Sequence, residues 1–401
     1  MASRDLVNQL LSRNGQPERV GLFEHFWAET TLKWIGQGYP GVPATQGGPP
    51  VAPEPGRVTV SHVSPSFLDE IEALTPVDPY RHFDFDLHPC GGGFDTDPLC
   101  GFEELLEETG EWVIKRNGAG ATFKYWKHKS GTPEHLAFRM TSRQVWEREY
   151  RPHLMRADRR RLENGSWKSS TLEEDRAELA WGRAHRKWCH YGHVFVWETM
   201  RQSLGDLCMY ESMALDPGWI HDFNRVYTDF FKAHFSLLFE ELGLPDGIWI
   251  YEDLGYRNGL IASPAMLRRL FLPYFAELVD FFHARGLPVV LHSCGNVTQG
   301  LPLIVEAGFD ALQPLEVKAG CDPLAFAGAY RDRLAFIGGF DVRFLETNDR
   351  EVIEREVRRL VQGMKARGAR YVFHSDHSIT PQVNYDSYRY ALDAYRNAMT
   401  Y

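Results

Sequence analysis

Apolar, β-branched runs alternate along this chain with amphipathic stretches, and each run breaks off into acids, histidines or glycines. Val20–Phe23 runs into Glu24-His25, His193–Trp197 into Glu198-Thr199, and Gly247–Tyr251 into Glu252-Asp253. Leu287–Leu291 ends in His292-Ser293-Cys294-Gly295-Asn296, and Phe309–Leu315 meets Glu316. Leu334–Ile337 meets Gly338-Gly339-Phe340-Asp341, and Arg370–Phe373 meets His374-Ser375-Asp376-His377. Between these runs Phe223–Leu242, Pro264–Arg285 and Asp349–Arg367 carry apolar residues at helical spacing. Strand alternating with helix predicts a parallel sheet covered by helices. Polar residues at strand carboxyl ends are what a (β/α)8 barrel gathers on its active face. A doubly wound sheet would open on a Gly-x-Gly-x-x-Gly turn between a strand and a helix, and no such turn is found. The expected fold is therefore α/β, a (β/α)8 TIM barrel with a β-rich and helical insertion lobe.

The chain has 401 residues, more than the roughly 250 of a plain barrel. Residues 1–57 read as an N-terminal helix, the first barrel strand and a Gly/Pro-rich loop over Gly36–Gly56 that covers the barrel. Residues 58–185 read as the insertion lobe, with β-like pieces at Glu111–Lys115 and Ala121–Trp126 and helices beside the barrel. Residues 186–401 read as the main part of the barrel, with the active site. A net charge of −10 without a basic stripe argues against nucleic acid, and Arg156–Arg161 reads as a solvated helix face. No apolar run reaches the roughly 18 residues of a membrane span. Met1–Gly15 lacks a signal-peptide core, and the six cysteines show no close CxxC pairing, so a cytoplasmic protein with reduced thiols is expected. A homodimer is the default assembly.

Residues i and i+2 of a strand point to one side, so His292 and Cys294 can converge at a strand's end. Imidazole and thiolate are favoured zinc ligands; the bland alternative is a buried histidine and an inert cysteine. Glu252 and Asp253 follow a strand, so one carboxylate should face the barrel, as ligand or general acid/base. Asp341 follows two glycines and is either a catalytic carboxylate or the N-cap of a helix starting near Arg343. Tyr256, expected in catalysis, and Tyr385, expected at the substrate, are candidate hydrogen-bond donors to a substrate oxygen. Glu24, His25, Glu198, Glu316, His374 and Asp376 are further substrate-binding candidates at strand ends, and the tryptophans Trp27, Trp188, Trp197 and Trp249 read as core or pocket wall.

Several segments together resemble the uroporphyrinogen decarboxylase superfamily, in particular its corrinoid-linked methyltransferase branch. They are Tyr251-Glu252-Asp253-Leu254-Gly255-Tyr256, Ser263-Pro264, His292-Ser293-Cys294-Gly295-Asn296, Ala319-Gly320-Cys321-Asp322, Ile337-Gly338-Gly339-Phe340-Asp341 and His377-Ser378-Ile379-Thr380-Pro381. The resemblance is dense from Gly247 to Tyr390 and implies a (β/α)8 barrel. Uroporphyrinogen decarboxylases carry an arginine-rich amino-terminal motif; this chain has Phe23–Trp27 there instead. In the methyltransferase branch His292 and Cys294 correspond to two zinc ligands. A third ligand, a cysteine, precedes a Thr-Pro pair, and His377 stands in its place here, with Glu252 or Asp376 as alternatives. The resemblance thus implies a zinc-dependent methyltransferase or O-demethylase-like enzyme. It would move a methyl group between a small-molecule donor or acceptor and a corrinoid (cobalamin) cofactor on a partner protein, since the chain has no Asp-x-His-x-x-Gly pattern of its own. A metal-independent decarboxylase and a non-catalytic ligand-binding barrel are the other readings.

Overall fold

The computed structural model describes residues 1–43, 74–127, 131–163 and 170–401. The expected covering loop, from residue 44 onward, lies outside the described residues. Eight parallel strands form the barrel: β1 (Gly21–Leu22), β2 (Leu87–Pro89), β3 (Trp188–Val194), β4 (Gly247–Tyr251), β5 (Val289–His292), β6 (Ala311–Gln313), β7 (Ala335–Ile337) and β8 (Tyr371–Phe373). They pair in sequence from β2 through β8 and on to β1. The ring closes between β1 and β2, where the Asp86 amide donates to the Leu22 carbonyl at 2.9 Å and the Leu22 amide donates to the Asp86 carboxylate at 2.8 Å. Helices pack outside, the longest being Pro217–Leu242, which starts on the Asp216 N-cap with proline in its first turn. Among the described residues no helix is long and apolar enough to cross a membrane.

Two parts of the barrel differ from the expectation. The second strand, Leu87–Pro89, lies inside the segment assigned to the lobe. Three residues followed by Cys90-Gly91-Gly92 give too short a run to show a period, and the chain leaves the barrel at once into the lobe. The third strand is Trp188–Val194, not His193–Trp197, and Val196 already starts a helix. The apolar residues Phe195 and Trp197 are core side chains at that corner. Their amides are drawn into a turn by a carboxylate from β4, described below.

The lobe is a four-stranded antiparallel sheet, Glu103–Glu108, Trp112–Asn117, Ala121–Trp126 and Glu134–Phe138. Its strands are laced by the ion pairs Lys115–Glu103, Arg116–Glu104 and Lys127–Glu108, and the Lys124 ammonium sits over the rings of Trp112 and Trp126. The basic cluster at Arg156–Arg161 is not all solvated. Arg161 is 2% exposed and donates to the carbonyls of Asp95, Asp97 and Pro98, anchoring the lobe to the barrel. All six cysteines are free.

The barrel interior is layered by the strand period. His190 of β3 and Trp249 of β4 have ring centres 5.1 Å apart, with Phe23 6.1 Å from His190 and 5.4 Å from Trp249. One layer higher, on a shared register, stand Tyr251, His292 and Gln313, beside Gly192, whose missing side chain leaves room against the Tyr251 ring. His190 has both ring nitrogens buried without a hydrogen-bond partner among the described residues, and burial pushes its pKa down to about 3. In the unfolded chain the imidazole would charge near pH 6.5. The folded state should therefore lose stability as pH falls from about 6.5 toward 3, by about 1.4 kcal/mol per pH unit from this residue alone. His190→Phe, which keeps the aromatic packing and has nothing to protonate, should flatten the pH dependence of denaturation by up to that slope between pH 6 and 4. Equal slopes for variant and wild type would show that His190 already charges in the fold.

Candidate metal centre

His292 closes β5 and Cys294 follows two residues later, so both reach the carboxyl-end mouth of the barrel. His292 Nε2 lies 3.3 Å from Cys294 Sγ and 3.7 Å from Asp253 Oδ1. The three ligand atoms of Asp253, His292 and Cys294 all lie within 4.8 Å of one another, and all three residues are partly exposed. Zinc bond lengths to nitrogen, oxygen and sulfur place tetrahedral ligand atoms about 3.3–3.8 Å apart, so this donor set fits such a cation and leaves a fourth position for another molecule. Desolvation by the surrounding protein, with the Asp253 and Glu316 carboxylates nearby, holds the Cys294 thiol well above its ordinary pKa. A sulfur in such surroundings ionises when a cation shares the site.

The imidazoles around this trio have assigned tautomers. His374 Nδ1 lies 2.5 Å from the Ser375 carbonyl, which can only accept, so Nδ1 carries the hydrogen. Burial lowers the His374 pKa to about 3, so the ring is neutral and its Nε2 is an acceptor. His25 Nδ1, at 3.0 Å, then donates to it, with Gln313 Nε2 and a Glu24 carboxylate oxygen each 3.4 Å away. With its amide nitrogen so placed, Gln313 turns its oxygen to His292 Nδ1, which must donate. The Nε2 atoms of His292 and His25 are thereby the free ends of the two rings, the first facing Cys294 and Asp253, the second with no protein partner among the described residues. Burial, together with His374 and His292, keeps the His25 pKa well below the ordinary value.

Most of the acids at the strand ends are engaged by backbone rather than facing the mouth. Glu252 is fully buried and accepts from the amides of Phe195, Trp197 and Glu198 at 2.6, 2.8 and 3.3 Å. It thus supplies from β4 the cap that helix Val196–Leu204 lacks from its own residues. Asp376 accepts from Val317, Lys318 and Val342, and Glu316 accepts from Gly295 at 2.7 Å. Glu24 accepts from the Ser375 amide and hydroxyl, and burial raises its pKa to about 8. Asp341 takes the N-cap role: it accepts from the Arg343 amide and pairs with the Arg343 guanidinium at 2.6 Å.

The remaining candidates divide by position. Glu198 pairs with Arg201 at 2.7 Å, and burial lifts its pKa to about 7 against the pull of that guanidinium. His377 stacks on Trp27, with ring centres 6.0 Å apart, and lies outside the Asp253–His292–Cys294 group, while burial brings its pKa down to about 4. Tyr256 is exposed on a hairpin, Gly255–Tyr256 with Gly259–Leu260, at the rim. Tyr385 lies elsewhere, its hydroxyl 3.0 Å from His82 Nε2. Gln313, read from the sequence only as part of a strand, joins two of the imidazoles. An amide at the end of an inward-facing strand position was the available signal.

Removing the Glu252 carboxylate strips three buried amides of their acceptor, at about 1–3 kcal/mol for each unsatisfied group. Glu252→Ala should therefore lower the urea midpoint by an amount equivalent to several kcal/mol. Activity lost at unchanged stability would instead mark Glu252 as a chemical group.

Residues 210–398 match the family model described as uroporphyrinogen decarboxylase (URO-D). Among solved structures, the chain is similar to a methyltransferase from Methanosarcina mazei, with a TM-score of 0.62, 13% identity and 99% of each chain covered. At that identity the likeness is one of fold. No curated protein sequence matches the chain. The barrel and its carboxyl-terminal motifs are thus similar to the uroporphyrinogen decarboxylase family over residues 210–398.

Proposed function

We propose that this barrel is a zinc-dependent methyltransferase or O-demethylase-like enzyme, moving a methyl group between a small substrate and a corrinoid carried by a partner protein. The observation that carries this reading is the meeting of an imidazole nitrogen, a sulfur and a carboxylate at the mouth of the barrel. A cation held by His292, Cys294 and Asp253 would supply Lewis acidity at one open position. His377, stacked on Trp27, is the further ligand candidate on the β8 side.

The other residues bind, orient and move protons. When a methyl group leaves an oxygen or sulfur, the substrate becomes an anion; in the reverse direction a hydroxyl or thiol must lose its proton. His25, with a low pKa and an Nε2 that no protein group engages among the described residues, would accept the proton, and His374 fixes its ring. Glu198, raised to about 7 beside Asp253, is a second group able to exchange a proton near neutrality. Tyr251 packs against the His292 ring at 5.0 Å, and with Trp27 and Tyr256 gives the mouth aromatic surface suited to a planar or methoxylated substrate.

Purified protein should contain about one zinc per chain. His292→Ala and Cys294→Ser should each abolish stoichiometric zinc by elemental analysis while leaving the far-UV circular dichroism unchanged. Full activity without zinc in both variants would move the assignment to the metal-independent decarboxylase reading. Free cob(I)alamin offered with methoxylated aromatic and thioether donors should give the absorbance of methylcobalamin with wild type but not with His292→Ala or Cys294→Ser, and His25→Ala should slow the reaction by about 10²–10⁴-fold. Carbon dioxide release from a carboxylated substrate without methyl transfer would overturn the proposal.

A further inference from the structure

We infer that Gln313 is the positioning residue that decides which nitrogen His292 presents at the mouth of the barrel. This inference rests on the metal reading above and extends it to a residue outside the proposed ligand set. Gln313 ends β6, is 1% exposed, and stands on the same register as His292 of β5. Its two ends face two different imidazoles, His292 Nδ1 and His374 Nε2.

The orientation is imposed from the far side of the barrel. The Ser375 carbonyl requires a hydrogen on His374 Nδ1, so a neutral His374 offers only an acceptor at Nε2. The amide nitrogen of Gln313 faces that acceptor at 3.4 Å, beside the His25 Nδ1–H that donates to it, and the amide oxygen is left for His292. A primary amide carries a donor and an acceptor side by side on one planar group, as this position between two imidazoles requires. Glutamate would keep the acceptor for His292 and lose the donor for His374. Leucine would lose both and leave His292 free to carry its hydrogen on Nε2, where it would point at Cys294 and oppose a cation. Outer partners of metal-ligating histidines set ring orientation and tautomer in this way, and their loss typically costs 10–100-fold in affinity.

The test uses the full-length protein with Gln313→Leu and Gln313→Glu. Two-dimensional 15N spectra of histidine-labelled, metal-free wild type should show His292 as the Nδ1–H tautomer. Gln313→Leu should shift it to a mixture, and zinc affinity measured by chelator competition should fall about 10–100-fold. Gln313→Glu should keep the Nδ1–H tautomer and bind zinc within a few-fold of wild type. An Nε2–H tautomer in wild type, or a folded Gln313→Leu with unaltered tautomer and zinc affinity, overturns the inference. Should Gln313→Leu fail to fold, a tenfold loss of zinc affinity in Gln313→Glu overturns it. Wild type that binds no zinc removes the metal reading and this inference together; zinc binding indifferent to Gln313 removes this inference alone.

Discussion

Carboxylates at the carboxyl ends of the strands hold the mouth of this barrel together, each accepting backbone amides from a neighbouring strand's loop. Glu24 after β1 grips Ser375 after β8, and Asp376 after β8 grips the turns after β6 and β7. Glu316 after β6 grips Gly295 after β5, Asp253 after β4 grips Cys294 after β5, and Glu252 after β4 grips the turn after β3. Loops at a barrel mouth expose amides that the strand ladder no longer satisfies, and a buried amide without an acceptor is costly. An ionisable acceptor can meet two or three amides at once. The same burial penalises the charged form, which is why Glu24 and Glu252 are pushed upward in pKa although their oxygens accept several hydrogen bonds.

This lacing separates the groups that hold the site from the groups that face it. Once the backbone has engaged Glu252, Asp376, Glu316 and Glu24, the mouth retains Asp253, His292, Cys294, His25, Glu198 and His377. Asp253 belongs to both sets: one oxygen accepts from the Cys294 amide and lies 3.7 Å from His292 Nε2. The hydrogen bond that positions the cysteine thus also places the carboxylate that completes the donor trio. The histidines add a second layer of order, because a backbone carbonyl at Ser375 propagates its requirement through His374 and Gln313 to the ring beside Cys294.

Much of the barrel was legible in the sequence because parallel strands buried on both faces are written as apolar runs. Gly247–Tyr251 reads as β4 residue for residue, and the runs ending at His292, Glu316, Gly338 and His374 each contain a strand. Leu87–Pro89 was not legible, since a three-residue strand shows no period. Phe195 and Trp197 read as strand because they are apolar and buried, yet the Glu252 carboxylate, more than fifty positions away, turns their amides into the start of a helix. Arg161 read as surface, and only the fold brings four carbonyls around it.

By itself the sequence determined the fold class and the pairing of His292 with Cys294, because strand alternation and a two-residue spacing are local properties of the chain. It also placed a rim of acids and histidines at the strand ends. The tertiary structure alone decided which of them remain free. Whether a carboxylate faces solvent or satisfies an amide depends on which loop lies opposite, and that is set by closure of the ring, not by neighbours in sequence. Asp253 rather than His377 shares the close trio for the same reason: β4 adjoins β5 in the barrel, whereas β8 reaches the site from across it.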